Sequence, residues 1–160
     1  MLTQTQPRQT EHSALPPSGD AQVFWVKPET VAQFWPLGEY FIKQACKRGP
    51  GRLIPDNLKA SCEAGYSQYM VAMLGGECVA AAVTNVTTDW PSGHKVLEWT
   101  AIGALKHRSA EWLALEQTII DAAKAHGCMA MRSYSRRGME HLLKSKGFKP
   151  VGVILEKELM

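Results

Sequence analysis

Apolar residues recur along this chain in two rhythms, and each predicts its own kind of element. The burst Val23-Phe24-Trp25-Val26 reads as a first strand. Lys27-Pro28-Glu29-Thr30 then opens a segment in which Val31, Phe34, Trp35, Phe41, Ile42 and Ala45 fall at near-helical spacing. Pro36 lies inside that run, which predicts either a kinked helix or two short ones, because proline lacks the amide that an interior turn needs. A turn cluster, Lys47-Arg48-Gly49-Pro50-Gly51-Arg52, leads to a second helix that starts at Pro55-Asp56 and ends at Gly65.

From Gln68 the period shortens to that of strands. Tyr69-Met70-Val71-Ala72-Met73-Leu74, the pair Gly75-Gly76 and the run 77–88 make a hairpin, with glycines where a tight turn demands positive φ. A third strand, 94–102, follows the turn Trp90-Pro91-Ser92-Gly93 and is expected to put Val96, Glu98, Thr100 and Ile102 on one face. A long helix over 109–126 carries Trp112, Leu115, Ile119, Ala122 and Ala123 on its apolar stripe and stops at Gly127. Residues 128–134 read as a strand, 136–146 as a short helix and 148–159 as a closing strand. The order is β-α-α-β-β-β-α-β-α-β, an α/β (α+β) arrangement without internal repeats.

Composition narrows the class. With 160 residues, 45% apolar and 21% charged, the chain has the make-up of one globular domain. The expected division is an N-terminal arm over 1–21, rich in Gln, Thr, Ser and Pro, and a single domain over 22–160. Uncharged stretches such as 78–88 fall short of the roughly 18 apolar residues of a membrane span. No basic segment followed by an apolar run opens the chain, so no secretory signal is read. A net charge of +3 is too mild to mark direct nucleic-acid binding. The four cysteines show no C-x-x-C spacing and no zinc knuckle, and read as reduced, buried side chains.

The last third carries a resemblance. The stretch 112–127, followed by CMAMRSY, SRRGMEHLLKSKGF and VGVILEKEL, is similar to the helix, strand, helix, Lys-Gly-Phe and final strand of the GNAT superfamily of N-acetyltransferases. About 50 residues resemble it closely and the rest by element order. The resemblance implies a mixed, mostly antiparallel twisted sheet. Acetyl-CoA would lie in a V between the strand of Glu98 and the strand from Cys128, with its pyrophosphate on amides at the start of the long helix.

This chain departs from that pattern at two places. The family's phosphate loop, Gln/Arg-x-x-Gly-x-Gly/Ala, meets Arg108-Ser109-Ala110-Glu111-Trp112 here, so Arg108 and Ser109 are its cofactor-binding candidates while Glu111 would repel a diphosphate. The usual general acid, a Tyr five residues before the Phe, is replaced by Leu143, which has no proton to give. Tyr134 lies nearby at a strand end.

Glu98, flanked by Leu97 and Trp99, is the catalytic candidate, either a general base raised by burial or a solvated residue on a polar strand face. Lys106, His107 and Arg108, with Arg136 and Arg137, put cations at helix starts, where they oppose the helix dipole unless an anion or water offsets them. The ending with Arg-Arg-Gly-Met-Glu, Lys-Gly-Phe-Lys and Leu-Glu-Lys-Glu-Leu, together with Trp35-Pro36 and Ala45-Cys46, also resembles small GNAT-like proteins encoded among the head and tail genes of tailed bacteriophages. That resemblance implies a virion-associated interaction protein, in the virion or the host cytoplasm and without catalysis. Its contacts to other virion proteins would run through the arm and through the loop of Trp90. Acetyl-CoA is then expected to bind weakly or not at all, and is the cofactor only if the chain is an N-acetyltransferase acting on an amine.

Overall fold

The computed structural model describes residues 21–49, 52–105, 109–135 and 137–159. Gly75 and Gly76 adopt φ of 57° and 83°, which closes the hairpin of β2 (Ser67–Leu74) and β3 (Glu77–Thr88). β1 (Gln22–Val26) adds antiparallel to β2, and β4 (Lys95–Ala104) adds antiparallel to β3. α3 (Ser109–Ala125) then crosses over so that β5 (Ala130–Ser133) joins β4 in parallel. The result is a five-stranded sheet in the order β1-β2-β3-β4-β5. This is the expected mixed, mostly antiparallel α+β class.

Helices cover both faces. α1 (Val31–Arg48) and α2 (Pro55–Glu63) bury Trp35, Phe41, Ile42, Leu58 and Cys62 against Tyr69, Val71, Ala81 and Val83. On the other face α3 packs Leu115, Ile119 and Ala123 on Met70, Ala82, Leu97 and Trp99, joined by Leu143 of α4 (Arg137–Ser145). A half-buried ion pair, Lys146 to Glu116 at 3.2 Å, ties the end of α4 to α3. Close approach between α1 and the sheet depends on two glycines. A Cβ on Gly38 would stand 2.4 Å from that of Ala81, and one on Gly103 would stand 2.5 Å from the carbonyl oxygen of Phe41.

Three sequence expectations are corrected. First, of the two alternatives at Pro36 the pair of short helices is excluded: α1 runs as one continuous helix through the proline. The buried hydroxyl of Tyr69 accepts from the Gly38 amide at 3.0 Å and donates to the Trp35 carbonyl at 3.2 Å, so a side chain from β2 serves the helix's backbone groups next to the proline.

Second, Val96, Glu98, Thr100 and Ile102 do not share one face. Val83 pairs with Ala101 while Thr84 pairs with Trp99, so Thr100 is an extra residue in β4, a β-bulge that reverses the alternation. Trp99 therefore packs toward α3, Ala101 toward α1, and Ile102 toward the α3 side again.

Third, residues 148–159 form no strand. Pro150 offers no amide there, the Phe148 amide is committed to the Leu143 carbonyl, and Glu156 is drawn to an ion pair with Arg52. Their alternating apolar side chains face solvent, with Val151 88% and Leu155 90% exposed.

Candidate functional site

Pairing between β4 and β5 is short. Val96, Leu97, Glu98 and Trp99 pair with Ala130, Met131, Arg132 and Ser133, after which β4 continues to Ala104 without β5 beside it. The opening that the resemblance implies between the strand of Glu98 and the strand of Met131 thus begins beyond Trp99 and Ser133. The bulge at Thr100 bends β4 at that point, and the chain leaves β5 at Tyr134.

The space left is a cleft of ≈ 710 Å³. Its β4 wall runs from Trp99 to Leu105, and its opposite wall is Ser133, Tyr134 and Ser135 with Met139 and Leu143 of α4. Phe41, Gln44 and Arg48 of α1 close a third side. Gly103 lets the floor form, since any side chain there would collide with the backbone of α1. The cleft therefore combines an unpaired strand edge, an apolar base and an arginine.

Beside it stands a polar cluster. Glu98 pairs with Asn85, two residues along β3 from Val83, and so lies on the face of the sheet that carries α1 and α2. Its Oε1 accepts from Arg132 Nη1 at 3.3 Å and from the Tyr134 hydroxyl at 3.4 Å. The second guanidinium nitrogen of Arg132 donates to both carboxylate oxygens of Asp89, at 3.0 and 2.8 Å. Hydrogen bonding from Arg132 holds the Asp89 carboxyl below its ordinary range. The same bond, with a contribution from Tyr134, raises the guanidinium further. Glu98 is partly buried and engaged by a cation and a phenol.

The sequence candidates are not all brought together. Tyr134 reaches both Glu98 and the cleft wall. Leu143, at the position of the family's acid, is buried in the α3-side core and contributes only apolar surface to the cleft. Ser109 is the first residue of α3, four residues after the cleft-lining Leu105. Arg108, with Lys106 and His107, lies outside the described residues, as does the arm over 1–20. Trp90 adjoins Asp89 and is 92% exposed in the connection between β3 and β4.

Asp89 and Arg132 were not legible as site residues. They are 43 positions apart, and no local pattern links a turn aspartate to a strand arginine. Among the described residues no group of three or more His, Cys, Asp or Glu could hold a metal ion. The four cysteines are free, and burial pushes the Cys62 thiol up to about 12, far from a reactive thiolate. No described helix is long and apolar enough to cross a membrane.

No protein-family profile and no curated protein matches the chain. Solved structures do. A possible acetyltransferase from Clostridium difficile 630 superposes with a TM-score of 0.64 at 14% identity, covering 89% of this chain and 99% of that one. A ribosomal-protein-alanine N-acetyltransferase from Brucella melitensis biovar Abortus 2308 gives 0.64 at 13% identity, over 86% and 99%. An aminoglycoside N-acetyltransferase in complex with CoA gives 0.66 at 16% identity, over 91% and 100%. The fold is therefore that of the GNAT acetyltransferases.

Proposed function

We propose that the β4–β5 cleft takes an acyl-CoA thioester and that the chain transfers its acyl group to an amine. The observation that carries this reading is Tyr134, a residue of the cleft wall whose hydroxyl donates to Glu98 at 3.4 Å. The unpaired β4 edge from Thr100 to Ala104 suits the amide-bearing arm of CoA, which can add to a strand edge as a peptide does. CoA supplies the activated thioester. In the transfer, the amine attacks the carbonyl carbon, a C–N bond forms and the C–S bond breaks with its electron pair on sulfur. Tyr134 gives its proton to that sulfur. Glu98 takes the proton lost by the amine and returns it to Tyr134 through their shared hydrogen bond, so charge and protons balance.

Calorimetric titration with CoA and acetyl-CoA, followed by thiol release with a panel of amines, tests this. Micromolar affinity and a roughly 100-fold or greater loss of rate in Tyr134→Phe are expected. Absence of binding counts against it and restores the expectation that acetyl-CoA is not a ligand.

A second reading is a GNAT-fold virion protein without catalysis. It is supported by Leu143 in place of a tyrosine acid and by the exposed indole of Trp90, a side chain enriched at interface hot spots. On this reading other virion proteins dock on the Trp90 loop and the arm. Replacing Trp90 by Ala and deleting residues 2–20 should each weaken capture of those partners without moving the thermal melt. Normal capture by both variants argues against it.

A further inference from the structure

The charges around the cleft are unevenly placed. Among the described residues that line it, none is an aspartate or glutamate, and the one side chain charged at neutral pH is that of Arg48, in the last turn of α1. The carboxylate of α1, Glu39, is held by Lys43 at 2.9 Å, and the two beside the cleft, Glu98 and Asp89, share Arg132. Arg48 has no carboxylate partner among the described residues. Its side is thus cationic and unneutralised.

The surface next to Arg48 is apolar. Phe41, Ala45 and Leu53 line it from α1 and the connection to α2, and Ile102 from β4. A methylene taken out of water against such a surface favours binding by roughly fourfold. A second ammonium brought to Arg48 would be repelled, whereas a carboxylate there gains a charge-assisted hydrogen bond that the planar guanidinium can make two-pronged. The cleft therefore offers Tyr134, bonded to Glu98, on its β5 wall, an apolar stretch, and a guanidinium on its α1 side.

We infer that the acceptor is an amine separated from a carboxylate by an apolar body, with the amine directed to Tyr134 and the carboxylate to Arg48. The inference rests on the acyl-transfer reading and adds the chemical class of the acceptor to it. Arg48 determines specificity and takes no part in the proton transfers. Being ionised at every pH where an amine is reactive, it selects by charge throughout that range. A site for polycations requires the reverse, carboxylates turned toward the ligand.

Three amines of similar length that differ at the far end test this: ε-aminocaproate, hexylamine and hexamethylenediamine. With the full chain and acetyl-CoA, thiol release should give a kcat/KM about tenfold higher for ε-aminocaproate than for hexylamine, with the diamine lowest. Shortening the body to β-alanine should weaken use of the carboxylated amine by up to roughly fourfold per methylene removed. Both rates are measured in one protein, so a folding defect cancels in their ratio. Arg48→Gln should bring the ratio of ε-aminocaproate to hexylamine near one, and Arg48→Lys should keep its sense. Equal or better use of the diamine overturns the inference, as does a ratio that Arg48→Gln leaves in place. Ligand-observed NMR with the product amides, ε-acetamidocaproate against N-hexylacetamide, repeats the comparison without turnover. If no amine releases thiol, the acyl-transfer reading falls, while a carboxylate preference of the amides that Arg48→Gln removes upholds the charge selection by the cleft. Amides bound equally, or not at all, overturn that as well.

Discussion

The first four strands and the last third of the chain are built on opposite principles. From β1 to β4 every neighbour in the sheet is a neighbour in sequence, the strands run up to 12 residues, and β2, β3 and β4 bury side chains on both faces. After β4 the sheet continues through a parallel pair of only four residues, then α4 and a segment whose side chains face water. The first region is closed by its own packing; the second is left open, and the cleft and the Tyr134–Glu98 contact sit where the two meet. Stability should therefore be concentrated in one region and binding in the other.

The sharpest test compares glycines. Gly38→Val should cost about 3 kcal/mol or more, because the new carbons meet Ala81 and Tyr69. Gly152→Val, with nothing within 4 Å, should stay within about 0.5 kcal/mol by urea denaturation. Equal effects would break the contrast. Next in size, Leu97→Ala should lose about 2–5 kcal/mol, since the fully buried side chain lies between the sheet and α3. Tyr69→Phe should lose about 1–3 kcal/mol by leaving the Gly38 amide buried without its acceptor.

Within the open region the numbers fall. Glu116→Gln should cost about 1 kcal/mol, by weakening the half-buried pair with Lys146. The smallest effect concerns acid. Arg132 lowers the Asp89 pKa in the folded state, so this pair stabilises the fold above the unfolded aspartate value and the contribution is lost as pH falls through the folded one. Thermal melts between pH 5 and about 2 should accordingly show a slightly shallower acid-side decline in Arg132→Gln than in the parent chain. An identical decline would mean that the Asp89 contact has no energetic weight.

The closed region was largely legible in sequence because its determinants are local. The hairpin follows from Gly75-Gly76, and the apolar spacing of Val31, Trp35 and Ile42 marks the buried stripe of α1. What was not legible depends on partners distant in sequence. The bulge at Thr100 inserts one residue without any local mark, so the face of every later residue of β4 was misassigned. The strand expected over 148–159 has the right alternation, but alternation records only what a segment can do when an edge is offered. For the site, Glu98 and Tyr134 could be named from their strands, whereas Arg132 and Asp89 became visible only when β5 was placed beside β4.

The hydroxyl of Tyr69 has a consequence for how the molecule loses structure. A helix whose backbone groups near Gly38 and Trp35 are served by a side chain of the sheet cannot be fully formed before the sheet arrives, nor outlast it. Residues 31–48 as an isolated peptide should show little helicity in water, with proline at the sixth position and that partner missing. In the intact protein α1 and β2 should then open together, as a single cooperative unit in native-state exchange, and the amides of α1 beyond Pro36 should share the protection of the central strands rather than fray ahead of them.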